Sequence, residues 1–440
     1  MSHSSRRALF YVLLLVFLMF GTGIILFAQG WRMDFPSFRV SKVGGIYVRS
    51  YPDDANIFLN GKPVANQSGL LSRGTLISNL FPKNYRLALT APGYVDWHEN
   101  VTVSPSMVAN HDHAVLVPAN ATSVVTGPVA DFRESQGNIV LETAGGEITF
   151  NGKAIGFGKL IAASPDLASI IFQTAKGTYE FADTETGAIT NLSDILADTG
   201  FTMAAPTDVT LDLSLGTTVL AANAKKVDML DIAQGTTTEI SAAPRGQTIA
   251  TGIAVSPSTI AWAGSTGSAN SSSLLFYDLS LQDVTRTTVA TGGSVKELYW
   301  ITGSLLGVLT DNGSFYLYDT VKQNFQKMAD EVRSVSATAD GSRIAALETD
   351  SLEIFILNEK GYYRFNLPDI NNAQASFWYH DDDHLFVAYA DHVSFLDLED
   401  ASLANFTTVS SGTAASYDPQ VNGLFIIDPQ GRLLRFNFAK

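Results

Sequence analysis

Cysteine is absent from the 440 residues. That excludes disulfides, thiolate metal sites and cysteine nucleophiles. It does not by itself set the compartment, although an exported chain without cysteine needs no oxidant to fold. Charge is scarce as well: charged residues make up 16% of the chain, against about a quarter in ordinary globular domains. The deficit falls on the bases, with 28 Lys and Arg against 43 Asp and Glu, a net charge of −15. So acidic a body repels phosphate backbones, and no nucleic-acid partner is expected. The glycine-rich stretch from Gly152 to Gly158 is not followed by Gly-Lys-Ser/Thr, so it is no phosphate loop. No Gly-x-Ser-x-Gly nucleophile elbow occurs either. What remains is a chain that is 46% hydrophobic, with a polar surface drawn from Ser, Thr, Asn, Gln and Gly. That palette suits sheets and tight turns. The length predicts roughly two to four folded units.

One long apolar run stands at the start. Ala8 to Phe27, ALFYVLLLVFLMFGTGIILF, holds no charge. As a helix it spans roughly 30 Å, the depth of a hydrocarbon core. Trp31 comes next, where an interfacial aromatic belongs. A cleaved signal peptide is the rival reading, but the run exceeds the usual apolar region. Its best cleavage triplet, Leu26-Phe27-Ala28, also carries a large residue where a small one is needed. The expectation is a tail over residues 1–7 and a transmembrane helix over 8–30. Arg6 and Arg7 precede the run, and Arg32, Arg39 and Lys42 come after it, so charge bias does not decide the orientation. The short tail and the external character of the β-rich remainder favour a cytoplasmic N-terminus and a bulk outside the cytoplasm.

From Gly44 the pattern changes to alternation. Ile46, Val48 and Ser50 alternate with Tyr47 and Arg49, as a half-buried strand requires. Pro52-Asp53-Asp54-Ala55 makes a turn and Ile57-Phe58-Leu59 a second strand. Asn60-Gly61 then forms a hairpin turn, because both residues accept positive φ. Tyr85–Leu89 and Val101–Val103 make further strands, joined through Ala91-Pro92-Gly93-Tyr94. This stretch, residues 44–105, resembles the PEGA domain through Ser50, Pro52, Ala55, Asn60, Gly61, Gly93 and Tyr94. Two positions depart from the family pattern. Asp54 replaces the Gly of the name-giving turn, and Asn84 stands where a Gly is common. Asp and Asn tolerate left-handed backbone best among the other residues. The resemblance implies a small β-sandwich over residues 44–117, a structural or interaction module of the bacterial cell envelope without catalysis.

Val117-Pro118-Ala119-Asn120 reads as a linker, and a repeat occupies residues 120–440. Second strands align at Ser169–Phe172, Thr218–Ala221, Thr259–Trp262, Leu305–Val308, Arg343–Ala346, His384–Val387 and Gly423–Ile426. Third strands end at Asp183, Asp231, Asp278, Asp319, Asn358 and Asp397, spaced by 48, 47, 41, 39 and 39 residues. That is the period of four-stranded propeller blades. Ile139–Leu141 with Ile148–Phe150 opens the series, and Leu433–Phe436 closes it one strand short. Ser123-Val124-Val125 is placed to supply that strand from the other end of the repeat region. The turns Ala163-Ser164-Pro165-Asp166 and Thr338-Ala339-Asp340-Gly341 resemble those of TolB-like and WD40-like propellers. The fold class expected is all-β: an N-terminal transmembrane helix, a PEGA-like β-sandwich, then a seven- or eight-bladed β-propeller. A pair of β-sandwiches is the alternative.

Chemistry-bearing clusters are few. Tyr379-His380-Asp381-Asp382-Asp383-His384 gathers metal-ligand types, but it falls at a first hairpin turn and reads as a solvated turn. His111 and His113 share a strand face around Asp112 without a third ligand in view. Asp311-Asn312-Gly313 lacks the later acidic positions of a calcium loop and reads as a hairpin turn. Asn100 and Asn405 sit in chance Asn-x-Ser/Thr triplets, and Trp300, Trp378 and Tyr379 fall inside strands where packing accounts for them. No catalytic, cofactor-binding or metal-ligating residue is therefore assigned, and no cofactor. The function expected is a membrane-anchored extracytoplasmic binding or scaffolding protein with an envelope protein or glycan partner, and no enzyme. The alternative is an exported propeller hydrolase or lyase with its site at the central channel. A signalling role is disfavoured by the seven-residue tail.

Overall fold

The computed structural model describes residues 3–34, 39–69, 73–125, 127–201, 209–242, 248–266, 268, 270–358, 361–399 and 405–439. The chain divides into two compact units, residues 1–120 with 438–440, and residues 121–437.

The first unit opens with a helix, His3–Ala28. Its stretch Leu9–Ala28 is long and apolar enough to cross a bilayer, and none of it is buried. A two-stranded hairpin, Trp31–Asp34 with Arg39–Lys42, comes next. Two sheets then face each other. One orders Thr75–Leu80, Gly44–Tyr51 and Val108–Val115, and the other orders Lys62–Val64, Asn56–Leu59, Asn84–Thr90 and Trp97–Thr102. Alternation in Gly44–Tyr51 turns Ile46 and Val48 inward, where they meet Ile57, Leu87, Leu89 and Trp97 from the opposite sheet. The Asn60-Gly61 turn closes its hairpin with both residues at positive φ, 51° and 75°. Asp54 and Asn84, in contrast, are not at positive φ. The two departures from the family pattern therefore need no left-handed tolerance. Residues 117–119 also differ from a free linker. Val117 is buried, its carbonyl accepts from Val95 N at 2.8 Å, and Ala119 N donates to Gly93 O at 2.9 Å. They are strapped to the Gly93-Tyr94 turn of this same unit.

The second unit is built of eight four-stranded antiparallel sheets among its described residues. Seven are consecutive in sequence. They run from Val129–Ser135 to Lys153–Phe157, Lys159–Ala163 to Ile189–Asn191, Thr210–Leu215 to Thr236–Ala242, and Ile249–Val255 to Asp283–Val289. Three more run from Val295–Thr302 to Asn324–Ala329, Ser334–Ala337 to Gly361–Phe365, and Ala373–Trp378 to Thr407–Ser411. The eighth takes Ala414–Asp418, Gly423–Ile427 and Leu433–Asn437 from one end of the unit and Thr122–Ser123 from the other. Val124 N extends that pairing to Leu433 O at 2.9 Å. The first strand of the eighth sheet packs beside the first strand of the first sheet, and the same neighbour contact joins sheets two to five and six to eight. A ring of sheets closed by an exchanged strand is the arrangement of a propeller, in which no sheet edge is left for a second chain at the closure. Every second strand aligned in the sequence is a central strand here and is nearly all buried, as in Ile170–Phe172, Ile260–Ala263 and Leu424–Ile427.

Two repeated side chains explain the period. In five of the sheets the third strand ends in an Asp that accepts from a backbone N–H two or three residues on. The partners are Thr186 for Asp183, Gln234 for Asp231, Leu281 for Asp278, Lys322 for Asp319 and Glu399 for Asp397. The Asp of the first hairpin turn does the same: Asp166 takes Ala168 N, Asp340 takes Ser342 N, and Asp418 takes Gln420 N. These carboxylates are turn closers, because a short side chain replaces the missing backbone acceptor. The hydrogen bond from Ser164 to Asp166, and that from Ser342 N to Asp340, hold both carboxyls below the usual range.

Candidate functional site

The Tyr379–His384 segment forms the expected turn, with His380 exposed and Asp381 to Asp383 half-buried, but its two ends, Tyr379 and His384, are buried. It joins Ala373–Trp378 to His384–Tyr389, yet His384 is 1% exposed. Its Nδ1 lies 2.8 Å from Asp381 Oδ2, and its Nε2 faces Asp397 Oδ2 at 3.8 Å, within ion-pair range. Burial pulls the imidazole towards the neutral form, but the two carboxylates outweigh it and push its pKa up to about 10. The ring stacks on Phe395 at 5.0 Å and meets Tyr379 edge-on at 5.9 Å. Asp381 Oδ1 meanwhile closes the turn through Asp383 N and His384 N. Arg343, from the preceding sheet, donates to Asp382 O at 2.6 Å and to Asp383 Oδ1 at 2.8 Å. The buried imidazolium is thus paired through Nδ1 with Asp381 and at longer range through Nε2 with Asp397, which is the condition under which a buried charge is tolerated.

Neighbouring groups extend it across the ring closure. His380 Nδ1 is 2.9 Å from Tyr417 Oη, whose own hydroxyl donates to Asn422 Oδ1 at 2.6 Å. Burial lowers the His380 pKa and raises that of Tyr417. One residue before Tyr417, Ser416 donates to Glu134 Oε1 at 2.5 Å. Glu134 belongs to the first strand of the first sheet, and Asp418, one residue after Tyr417, accepts from Gly137 N at 2.8 Å. Burial, with Asp418 adding repulsion, raises the Glu134 pKa to about 7. A carboxyl balanced near neutrality beside a hydroxyl can pass a proton at cellular pH. The sequence carried no mark of this pair, because Glu134 and Ser416 lie 282 positions apart.

The other residues singled out in the sequence have mostly structural places. His111 Nδ1 pairs with Glu99 Oε2 at 2.8 Å across the sandwich, and His113 Nδ1 stands 3.5 Å from Asp112 Oδ1. Asp311-Asn312-Gly313 forms the hairpin turn between Leu305–Thr310 and Phe315–Asp319, with Gly313 at φ +82°. Asn405 is buried and Asn100 sits in the strand Trp97–Thr102. In Gly152–Gly158, a Cβ on Gly158 would lie 2.2 Å from Gln173 O, so that glycine lets the chain entering Lys159–Ala163 run close against its partner strand Ser169–Gln173. Trp378 is half-buried, and Tyr379 packs on Phe386, Phe395 and Tyr417. Trp300 donates from Nε1 to Ala254 O at 3.2 Å. It also lines a groove of about 450 Å³ between the fourth and fifth sheets, beside Tyr318, Arg286, Asp278 and Asp283. A second groove of about 530 Å³ lies between the fifth and sixth sheets, lined by Phe355, Tyr362, Lys322 and Asp319.

Comparison with known proteins adds three findings. No curated protein sequence matches the chain. Among solved structures, an oligogalacturonate lyase in complex with manganese is similar with a TM-score of 0.46 and 10% identity. That match covers 73% of this chain and 99% of the lyase chain. Hydrazine synthase from Kuenenia stuttgartiensis is similar with a TM-score of 0.43 and 15% identity, over 63% of this chain and 94% of the synthase chain. Residues 43–114 match the family model of the PEGA domain.

Proposed function

We propose that this protein is a membrane-anchored binding or scaffolding protein of the cell envelope, its N-terminus cytoplasmic and its two β units outside. The observation that carries the reading is the joining of an unburied apolar helix, Leu9–Ala28, to a stretch that matches the PEGA domain. A soluble protein gains nothing from some twenty apolar residues without a packing partner. The ring of sheets then presents a rigid surface to an envelope protein or glycan. The two grooves lined by Trp300 and by Tyr362 lie in the size range of ligand clefts. Trp300 and Tyr318 offer flat apolar faces in one of them, and Arg286, Asp278 and Asp283 supply hydrogen bonds. Polyhydroxyl chains and exposed peptides are both read by that combination.

External protease applied to intact cells, with a blot for a C-terminal tag, tests this directly. Loss of the tag from intact cells, or after the outer envelope alone is opened, supports the reading. Protection until the inner membrane is lysed overturns the orientation and with it the envelope partner.

A second reading, an exported hydrolase or lyase, is favoured by one observation: Glu134, held near neutrality beside Ser416 and Asp418. It requires hydrolysis or elimination on an envelope polysaccharide that Glu134→Gln abolishes. Equal turnover by both proteins removes it.

A further inference from the structure

The chain reverses immediately after the helix. Trp31–Asp34 pairs with Arg39–Lys42, and Val43 N closes the base on Gly30 O at 2.9 Å. Trp31 stands opposite Lys42, and Met33 opposite Val40, so these four side chains share one face. Arg32 with Ser41, and Asp34 with Arg39, share the other. The first face is apolar and open: Met33 is 45% exposed and Val40 59%. Lys42 rests its ammonium 5.6 Å from the centre of the Trp31 ring, with its stem free to extend along the apolar surface.

The hairpin is tied to the helix end. Arg32 donates from Nη1 to Phe27 O at 2.6 Å, and its guanidinium lies 3.6 Å over the Phe27 ring. A cation there also complements the negative end of the helix dipole. The other amino nitrogen of Arg32 reaches Asn79 Oδ1 in the sandwich at 3.4 Å. A four-residue strand extends only about 13 Å, and each headgroup layer is some 5–8 Å deep. The base of a hairpin so held, with Trp31 and Lys42, lies at the headgroup layer if the helix spans the bilayer.

We propose that this hairpin is a lipid-docking surface. Trp31, Met33 and Val40 settle at the acyl boundary, while Lys42 on that face, and Arg39 reaching round from the other on its long side chain, meet anionic headgroups. The docking face rests on the anchor reading of the helix. Lipid is the occupant because the helix delivers the hairpin to it, and because the charge is complementary. Arg32, Arg39 and Lys42 outnumber Asp34 in a chain whose net charge is −15. Each base near an anionic surface contributes on the order of 1 kcal/mol. An interfacial tryptophan adds an anchor of its own. The membrane contact then does more than tether: it restrains how the sandwich beyond Arg32 tilts on its stalk.

The absence of native cysteine makes the test clean. Val40→Cys, Ser41→Cys and Leu18→Cys each carry a nitroxide in the full-length protein, reconstituted in phosphatidylcholine vesicles with and without phosphatidylglycerol. Collision with oxygen, which partitions into lipid, is compared with collision with a water-soluble nickel chelate. The expected result is an oxygen-to-nickel ratio several-fold higher at 40 than at 41. That difference grows with phosphatidylglycerol and shrinks when Arg39→Glu and Lys42→Glu are added. Equal, water-like values at 40 and 41 overturn the docking face, and a ratio indifferent to anionic lipid overturns the headgroup contact. Leu18 separates the two hypotheses. If its label is shielded from nickel while 40 is not, the docking face alone fails. If Leu18 itself is open to nickel, the anchor fails and the docking face falls with it.

Discussion

His384 is the residue whose removal should cost this fold most for its size. Replacing it by alanine leaves Asp381 and Asp397 facing each other in a site that is 1% exposed, and opens the space between Phe395 and Tyr379. Breaking a buried ion pair by deleting one partner costs about 3–5 kcal/mol. With a denaturant slope of about 3 kcal/mol per molar for a unit of this size, the urea midpoint should fall by about 1–2 M. Tryptophan fluorescence of the full-length protein in detergent reports the transition, since Trp262 and Trp378 both lie in this unit. His384→Gln keeps a donor and most of the volume, and should recover part of the loss. The pH dependence separates charge from packing. The native pKa is about 10, above the unfolded value near 6.5. Below pH 6.5 both states are protonated and the stabilisation is complete. Above it the native state holds one more proton, and stability declines by up to about 1.4 kcal/mol per pH unit until the native group titrates near 10. The gap between wild type and His384→Ala should therefore narrow from pH 7 to pH 9. A gap that stays constant over that range would mean a neutral imidazole and would refute the buried ion pair.

Other consequences are open to simpler measurements. The native Glu134 carboxyl titrates near 7, above its ordinary value of 4.5. The folded state therefore binds the extra proton in that window, and stability should fall as pH rises from about 4.5 to 7. Glu134→Gln should flatten that segment of the pH–stability curve; an unchanged slope counts against the buried carboxyl. Val124→Pro removes the N–H that bonds Leu433 O at the ring closure and should cost about 1–3 kcal/mol. Hydrogen exchange should then rise first in the eighth sheet, and protection that stays unchanged there argues against closure by this strand. Gly158→Ala drives a methyl to within 2.2 Å of Gln173 O, a backbone atom that can yield only by moving its strand. A loss of about 1–3 kcal/mol is expected, and a neutral result would show that the start of Lys159–Ala163 can move away from its partner strand Ser169–Gln173 at no cost.

Much of the architecture was legible because it is local. A strand that alternates, a run that never meets a charge, and an Asp that recurs about every forty residues each leave a mark within one repeat. The second strands from Ser169 to Ile426 fall where the repeat places them, and Thr122–Ser123 completes the eighth sheet as the short last repeat required. The family resemblance was carried by turn residues, Asn60-Gly61 and Gly93-Tyr94, whose backbone demands are equally local. Asp54 and Asn84 are residue types that accept positive φ, yet neither adopts it. The residue type tolerated a geometry that the chain did not use. Val117–Ala119 read as a linker from composition, but its backbone is bonded to a turn about twenty-five residues earlier.

The candidate site was the least legible part. Composition alone marked Tyr379–His384, and by composition an acidic turn belongs in water. The burial of its first residue, Tyr379, comes from Phe395, Phe386 and Tyr417, which the third strand of its own sheet, its second strand and the next sheet bring against it. By itself, then, the sequence determined the class of the protein: an apolar helix, a small β module and a ring of repeated sheets. The reason is that periodicity and turn chemistry act over a few residues. Only the tertiary structure decided which charges are buried together and which carboxyl is held near neutrality. Those depend on desolvation and on partners such as Glu134 and Ser416, which closing the ring brings together from its two ends.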